Sequence, residues 1–221
     1  MTDLPEAYAL CRDVAAEHGK TYFLATRLLP TDRRPAVHAL YAFARMVDDI
    51  IDVDMIAERG DDGAVALDLA LLTRIEERLH EGLASTTAPA TSVPPGPDRR
   101  NELILAALFD TARRYDIPSE YFTAFMTSML MDVPHSAIYK DRYATMDELS
   151  TYMYGSAAVI GLQMLPVLGT VGPVEEARPT ASALGEAFQV TNFVRDAGED
   201  LARDRISLPA DVLAAYGVDE D

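Results

Sequence analysis

Two stretches of this chain set carboxylates at helical spacing. In HALYAFARMVDDIID, residues 38–52, Tyr41, Arg45, Asp48 and Asp52 follow one another at steps of four, three and four. At about 100° per residue they share a helical arc of about 60°. In QVTNFVRDAGED, residues 189–200, the same steps bring Gln189, Asn192, Asp196, Glu199 and Asp200 onto one face, with Gly185 before them and Arg203 after. Carboxylates one turn apart on an isolated helix repel by about 0.2–0.5 kcal/mol. Repeating that arrangement on two helices asks for a compensating cation, and a hard divalent ion such as Mg²⁺ takes carboxylate oxygens together with substrate phosphates. Either stretch alone also reads as a solvated acidic helix. Arg45 equally reads as a helix-surface partner of Asp48 or Asp49. His18, His38, His80 and His135 share no spacing that suits a transition metal.

The elements that must carry these residues are helices. Apolar residues recur at three and four throughout, without alternating runs separated by hairpin turns, so the chain reads as all-α. Helices are expected over Pro5–His18, Asp32–Ala57, Gly63–Leu83, Arg99–Tyr115, Ser119–Asp132, Met146–Leu168 and Val174–Asp204, with another starting after Leu208. Thr31 with Asp32, and Ser119 after Pro118, are the expected caps. On the first acidic helix Val37, Leu40, Ala44, Val47 and Ile51 form an apolar stripe beside the polar one, which suits a cavity wall. On the second, Val190, Phe193 and Val194 point away from the polar face and serve as anchors. STTAPATSVPPGPD, about residues 85–98, is an exposed loop inside a single domain spanning 1–221.

Composition bounds the function. With 49% apolar residues the chain can build a substantial core, and a net charge of −17 argues against binding nucleic acid. Cys11 is the only cysteine, which excludes an internal disulfide and a thiolate metal cluster; it reads as a small buried side chain. No secretory signal opens the chain. The longest apolar segment, near Ala157 to Val171, is interrupted by Gln163 and Pro166 and falls short of the ~20 residues that span a bilayer. The expectation is a cytoplasmic protein that at most touches a membrane peripherally.

At its two acidic motifs, and at HGKTYFLATRLLP and YMYGSAAVIGLQMLPVLG in matching order, the chain resembles the squalene and phytoene synthase family of head-to-head prenyltransferases. The likeness extends through DRISLP. It implies an all-α isoprenoid synthase barrel around a central apolar tunnel, with the acidic motifs facing each other at its mouth. It also implies that this chain, ending at Asp221, lacks C-terminal helices of the family. Carried over by position, Asp48, Asp52, Asn192, Asp196 and Asp200 would bind Mg²⁺, with Mn²⁺ as a substitute. Thr21, Tyr41, Arg45 and Gln189 would line the diphosphate end. Asp132 and Tyr152 fall where the family has functional polar residues; otherwise Asp132 is a helix-terminal residue ahead of Pro134 and Tyr152 part of an amphipathic face. Gly19 stands in place of a common hydroxyl residue and Ser128 in place of a common glycine, with consequences for a phosphate contact and for packing.

The implied reaction is phytoene synthesis: two geranylgeranyl diphosphates condense through prephytoene diphosphate, with no need of NADPH. Squalene or dehydrosqualene synthesis from farnesyl diphosphate is the alternative within the family, and an inactive metal- and diphosphate-binding fragment is the alternative outside catalysis. Prenyl diphosphates are the expected partners, and oligomeric state is left open.

Overall fold

The computed structural model describes residues 3–57, 62–85, 96, 98–134, 136–202 and 204–218, with backbone alone for 52–57 and 62–68. Ten α-helices carry the fold among these residues: α1 Leu4–His18, α2 Lys20–Thr26, α3 Arg34–Ala57, α4 Asp62–Ala84, α5 Arg99–Arg114, α6 Ser119–Met131, α7 Met146–Met153, α8 Val159–Leu168, α9 Val174–Ala202 and α10 Ala210–Ala215. A π-helical turn, Tyr154–Ala158, joins α7 to α8. The all-α expectation holds. Most of the loop expected near 85–98 lies outside the described residues.

The chain divides into two compact units, Met1–Glu120 with Gln163–Val171, and Tyr121–Leu162 with Gly172–Asp221. In the first, α1, α3 and α5 pack on one another. Small residues make this close: Ala7, Cys11 and Ala15 of α1 and Ala36, Ala39 and Ala42 of α3 are buried, beside Phe43, Val47, Ile104 and Leu108. Burial pushes the Cys11 thiol up to about 12, so it stays protonated and inert, as a small core side chain. The buried arc of α3 centres on Ala36, Ala39, Phe43 and Met46. Leu40 and Val47 belong to it, but Val37, Ala44 and Ile51 are only half-buried, which corrects the expected stripe. Spacing fixes angular position; the neighbouring helices decide which arc is covered.

His38 lies buried in this unit, its ring 5.3 Å from that of Phe23. The Thr26 hydroxyl gives its proton to the Phe23 carbonyl at 2.7 Å, so the 3.1 Å contact between His38 Nε2 and Thr26 Oγ1 has the imidazole as donor. Burial lowers the His38 pKa, helped by the charges of Arg12 and Arg34. Because the folded value lies below the unfolded one, this contribution to stability is present above about pH 6.5 and is lost as pH falls below it. We expect His38→Gln to flatten the stability profile between about pH 7 and 5, removing at most about 1.4 kcal/mol per pH unit of the wild-type slope. Urea titrations of both proteins at each pH measure this difference; parallel profiles would overturn it.

In the second unit α9 packs against the π-helical turn and α7. Glycines permit the approach: a Cβ on Gly185 would lie 2.5 Å from the Ala157 carbonyl oxygen, and one on Gly161 would lie 2.7 Å from that of Ala181. Met131, Tyr143, Leu149, Tyr152, Met153 and Phe193 form the core, with Leu208 packed against it. Thr145 caps α7, accepting from the Glu148 backbone N–H at 3.3 Å, while the Glu148 carboxylate accepts from the Ala144 N–H at 2.9 Å.

Helical structure runs unbroken from Met146 to Leu168, 23 residues that are long and apolar enough to cross a membrane by length and composition. Gln163 and Pro166 interrupt the apolar run without ending the helix, in line with the expected span Met146–Leu168. Gln163 is itself buried, and Leu149, Tyr152, Met153, Ala158 and Val159 are core residues. A core helix of a globular protein passes the same test of length and composition.

Candidate functional site

On α3, Tyr41, Arg45 and Asp48 are each half-buried, on the flank beside the core arc. Arg45 pairs with Asp49 one turn on, one of the two helix-surface pairings open from sequence. Its Nε is nonetheless buried without a hydrogen-bond partner among the described residues, a donor suited to an anionic oxygen. Burial raises the Tyr41 phenol, against the pull of Arg45, so it remains a hydrogen-bond donor at neutral pH. A Cβ on Gly19 would stand 2.7 Å from the Tyr41 ring. The hydroxyl residue absent there therefore leaves the space that Tyr41 fills. Asp52 lies on α3, but its side chain is outside the described residues, and Thr21 is exposed on α2.

On α9, Gln189, Asn192, Asp196 and Asp200 form one half-buried row, while Glu199 is exposed and Arg203 lies outside the described residues. Asn192 Nδ2 donates to Gln189 Oε1 at 3.5 Å. The neighbouring Arg195 grips Asp196 through two bonds of 2.6 and 2.7 Å, and that hydrogen bonding holds the Asp196 carboxyl below its ordinary pKa. Asp200 Oδ2 accepts from Ser207 Oγ at 2.7 Å. Of the expected anchors only Phe193 is buried; Val190 and Val194 are exposed. The helix is held instead by close glycine approach, which frees its other positions from packing.

Asp200, Arg205 and Ser207 edge a cavity of about 290 Å³ whose remaining walls include Phe193, Leu201, Ile206, Leu208 and Leu213. A carboxylate thus borders an apolar space. Among the described residues no three His, Cys, Asp or Glu side chains converge on a common point that could hold a metal. The donor chemistry of the α9 row still fits a hard cation: two carboxylates and an amide oxygen, one turn apart.

Asp132 and Tyr152 meet in the second unit. The Tyr152 hydroxyl donates to Asp132 Oδ2 at 2.7 Å, and Arg205 forms an ion pair with the same carboxylate and lies over the Tyr152 ring at 5.9 Å. Asp132 directly follows the last residue of α6 and Tyr152 lies on the covered face of α7, and both are buried, so the helix-terminal and amphipathic-face placements hold alongside the contact between them. Burial pushes the Asp132 carboxyl up while Arg205 pulls it back, and burial raises the Tyr152 phenol well above its ordinary value. Ser128, buried beneath, donates to the Tyr152 carbonyl at 3.0 Å. Arg205 and Ser207 were not singled out from sequence. Their signal was position, immediately after the second acidic motif in DRISLP.

An all-α fold with this row of oxygen donors defines a class, and comparison with known proteins narrows it. Residues 15–221 match the squalene/phytoene synthase family model, and the chain belongs to that family of prenyltransferases in isoprenoid biosynthesis. It is similar to phytoene synthase 2 of Solanum lycopersicum, at 34% identity over 99% of this chain and 64% of the relative. It is also similar to the phytoene synthase of Arthrospira platensis, at 32% identity over 97% of this chain and 65% of that protein. Among solved structures it matches a dehydrosqualene synthase with a TM-score of 0.76 and 27% identity, covering 98% of this chain and 66% of the other. A squalene synthase from Alicyclobacillus acidocaldarius matches with a TM-score of 0.75 and 25% identity, at 98% and 71% coverage. The chain thus spans less than two thirds of the length of these two phytoene synthases. Family membership is consistent with Mg²⁺-dependent diphosphate chemistry.

Proposed function

We propose that this chain serves phytoene synthesis, the head-to-head condensation of two geranylgeranyl diphosphates through prephytoene diphosphate. The observation that carries the reading is the half-buried row of Asn192, Asp196 and Asp200, with Asp200 bordering a mostly apolar cavity. Phytoene synthases among the relatives support the substrate. Asn192, Asp196 and Asp200 would hold Mg²⁺, or Mn²⁺ in its place, through oxygen donors on α9, and Asp48 and Asp52 are the residues of α3 that would do so. When bound, the cation neutralises diphosphate oxygens and eases ionisation of the allylic carbon–oxygen bond. Arg45 Nε and the protonated Tyr41 hydroxyl would donate to diphosphate oxygens; Thr21 would add a polar contact in the first unit and Gln189 one beside the α9 row. Apolar walls exclude the water that would quench a carbocation. NADPH has no part in this reaction. The reading includes a cytoplasmic location with peripheral membrane contact, through which an insoluble hydrocarbon leaves.

Mass spectrometry of hydrocarbons formed from geranylgeranyl or farnesyl diphosphate with Mg²⁺, with and without NADPH, tests it. Phytoene without NADPH is the expected product. Dehydrosqualene or squalene from farnesyl diphosphate would favour the second reading, which the likeness to structures of those two synthases supports. Magnesium-dependent binding of a non-ionisable analogue without turnover would identify a binding chain instead. We expect Asp196→Ala to lower turnover by about 10²–10³-fold, the scale of losing one preorganised electrostatic group, with helical content unchanged. Retained turnover would remove Asp196 from the site.

A further inference from the structure

We propose that Ser207 is a positioning residue for Asp200, held over that carboxylate by a segment that the buried Asp132–Arg205 pair locks in place. The inference deepens the reading that Asp200 binds a metal and rests on it. After α9 ends at Ala202, Asp204 adopts a left-handed φ of 56° and the chain turns back. The Arg205 N–H closes the turn on the Asp200 carbonyl at 2.9 Å. The following residues lie along 141–144: Ile206 N–H donates to the Asp141 carbonyl at 3.1 Å, Ala210 N–H to Tyr143 at 2.9 Å and Asp211 N–H to Ala144 at 3.2 Å. Ser207, itself buried, is therefore fixed from both sides.

Its hydroxyl has a single proton, and at 2.7 Å that proton goes to Asp200 Oδ2. The bond restrains the rotation of the carboxylate and engages one oxygen, so that Oδ1 would be the oxygen available to a cation. The Arg205 guanidinium reaches back to Asp132, so Asp132 and Tyr152 act on the second motif through the backbone of this segment. Outer hydrogen bonds of this kind orient metal-binding carboxylates, and their loss weakens metal affinity by about 10–100-fold.

The test is Mn²⁺ binding by the intact chain, followed by the electron paramagnetic resonance of free metal, so that turnover is not needed. Ser207→Ala is expected to raise the apparent Mn²⁺ dissociation constant about 10-fold without shifting the urea midpoint, and Ser207→Thr to restore wild-type affinity. Ser207→Gly repeats the test if the alanine variant does not fold. Asp200→Ala separates the two levels: if it leaves Mn²⁺ binding unchanged, the underlying metal reading fails. If Asp200→Ala weakens binding but Ser207→Ala does not, or if the threonine variant is as weak as the alanine one, the positioning role is overturned.

Discussion

Replacing Asp132 with alanine is expected to destabilise the folded protein by about 3–5 kcal/mol, the cost of stranding a buried charge. The Asp132 and Arg205 side chains are only 11% and 15% exposed. Burial alone would lower the Arg205 pKa, but Asp132 and Tyr152 outweigh it and raise the value, so the guanidinium stays charged throughout the accessible range. Its Nε already lacks a hydrogen-bond partner among the described residues. Without Asp132 the charge keeps its desolvation cost and loses its partner, and the Tyr152 hydroxyl loses its acceptor. Arg205→Met in the same background should recover much of the loss, because a buried pair replaced by apolar side chains is often neutral or better. Urea unfolding followed by helical circular dichroism measures both, as a double-mutant cycle. An Asp132→Ala variant within about 1 kcal/mol of wild type would mean that water reaches Arg205, and the account of a locked segment would fail with it.

The helices were legible because apolar periodicity and punctuation agree: expected and observed spans differ by at most two residues at either end for α1, α3 to α6 and α9, and for α7, the π-helical turn and α8 taken as one run. Helix α2 escaped notice because Gly19 separates it from α1 by one residue and its seven residues are too few to display a period. The Thr145 cap was readable as TMDE, a Thr followed three residues later by Glu. Thr31 and Asp32 are less informative, since α3 starts only at Arg34. Burial was harder to read. On α9 Val190, Phe193 and Val194 look alike in a helical projection, yet only Phe193 is covered, because the arc that meets α7 and the π-helical turn is set by where Gly185 allows the backbone to approach. The acidic rows were visible because they are local in sequence. Asp132, Tyr152 and Arg205 come from separate segments, the last of them fixed by backbone bonds to residues 141–144, an arrangement that leaves no pattern in sequence. Only the family likeness pointed to the first two.

Gly155→Ala should be among the most damaging single-methyl changes in the second unit. The added Cβ would lie 2.0 Å from Ser128 Oγ and 2.2 Å from the Ala124 carbonyl oxygen, far inside contact distance. The first contact could be relieved by rotating a hydroxyl, but the second is backbone of α6 and can yield only if the helices separate. Overpacking of a well-filled core costs about 1–3 kcal/mol. We expect the upper part of that range or more, because Gly155 sits in the π-helical turn against which α9 is seated. Ser128→Gly in the Gly155→Ala background should recover only a minor part, since it removes the hydroxyl and leaves the carbonyl. Gly198→Ala on α9, where an added Cβ meets nothing within 4 Å, should instead stabilise by up to about 1 kcal/mol through helix propensity. Thermal unfolding of the three variants checks this. The same substitution at two helical glycines then takes opposite signs, because Gly155 is required for space and Gly198 is not; equal shifts at both would mean that backbone entropy, rather than close packing of α6 on the turn, governs this unit.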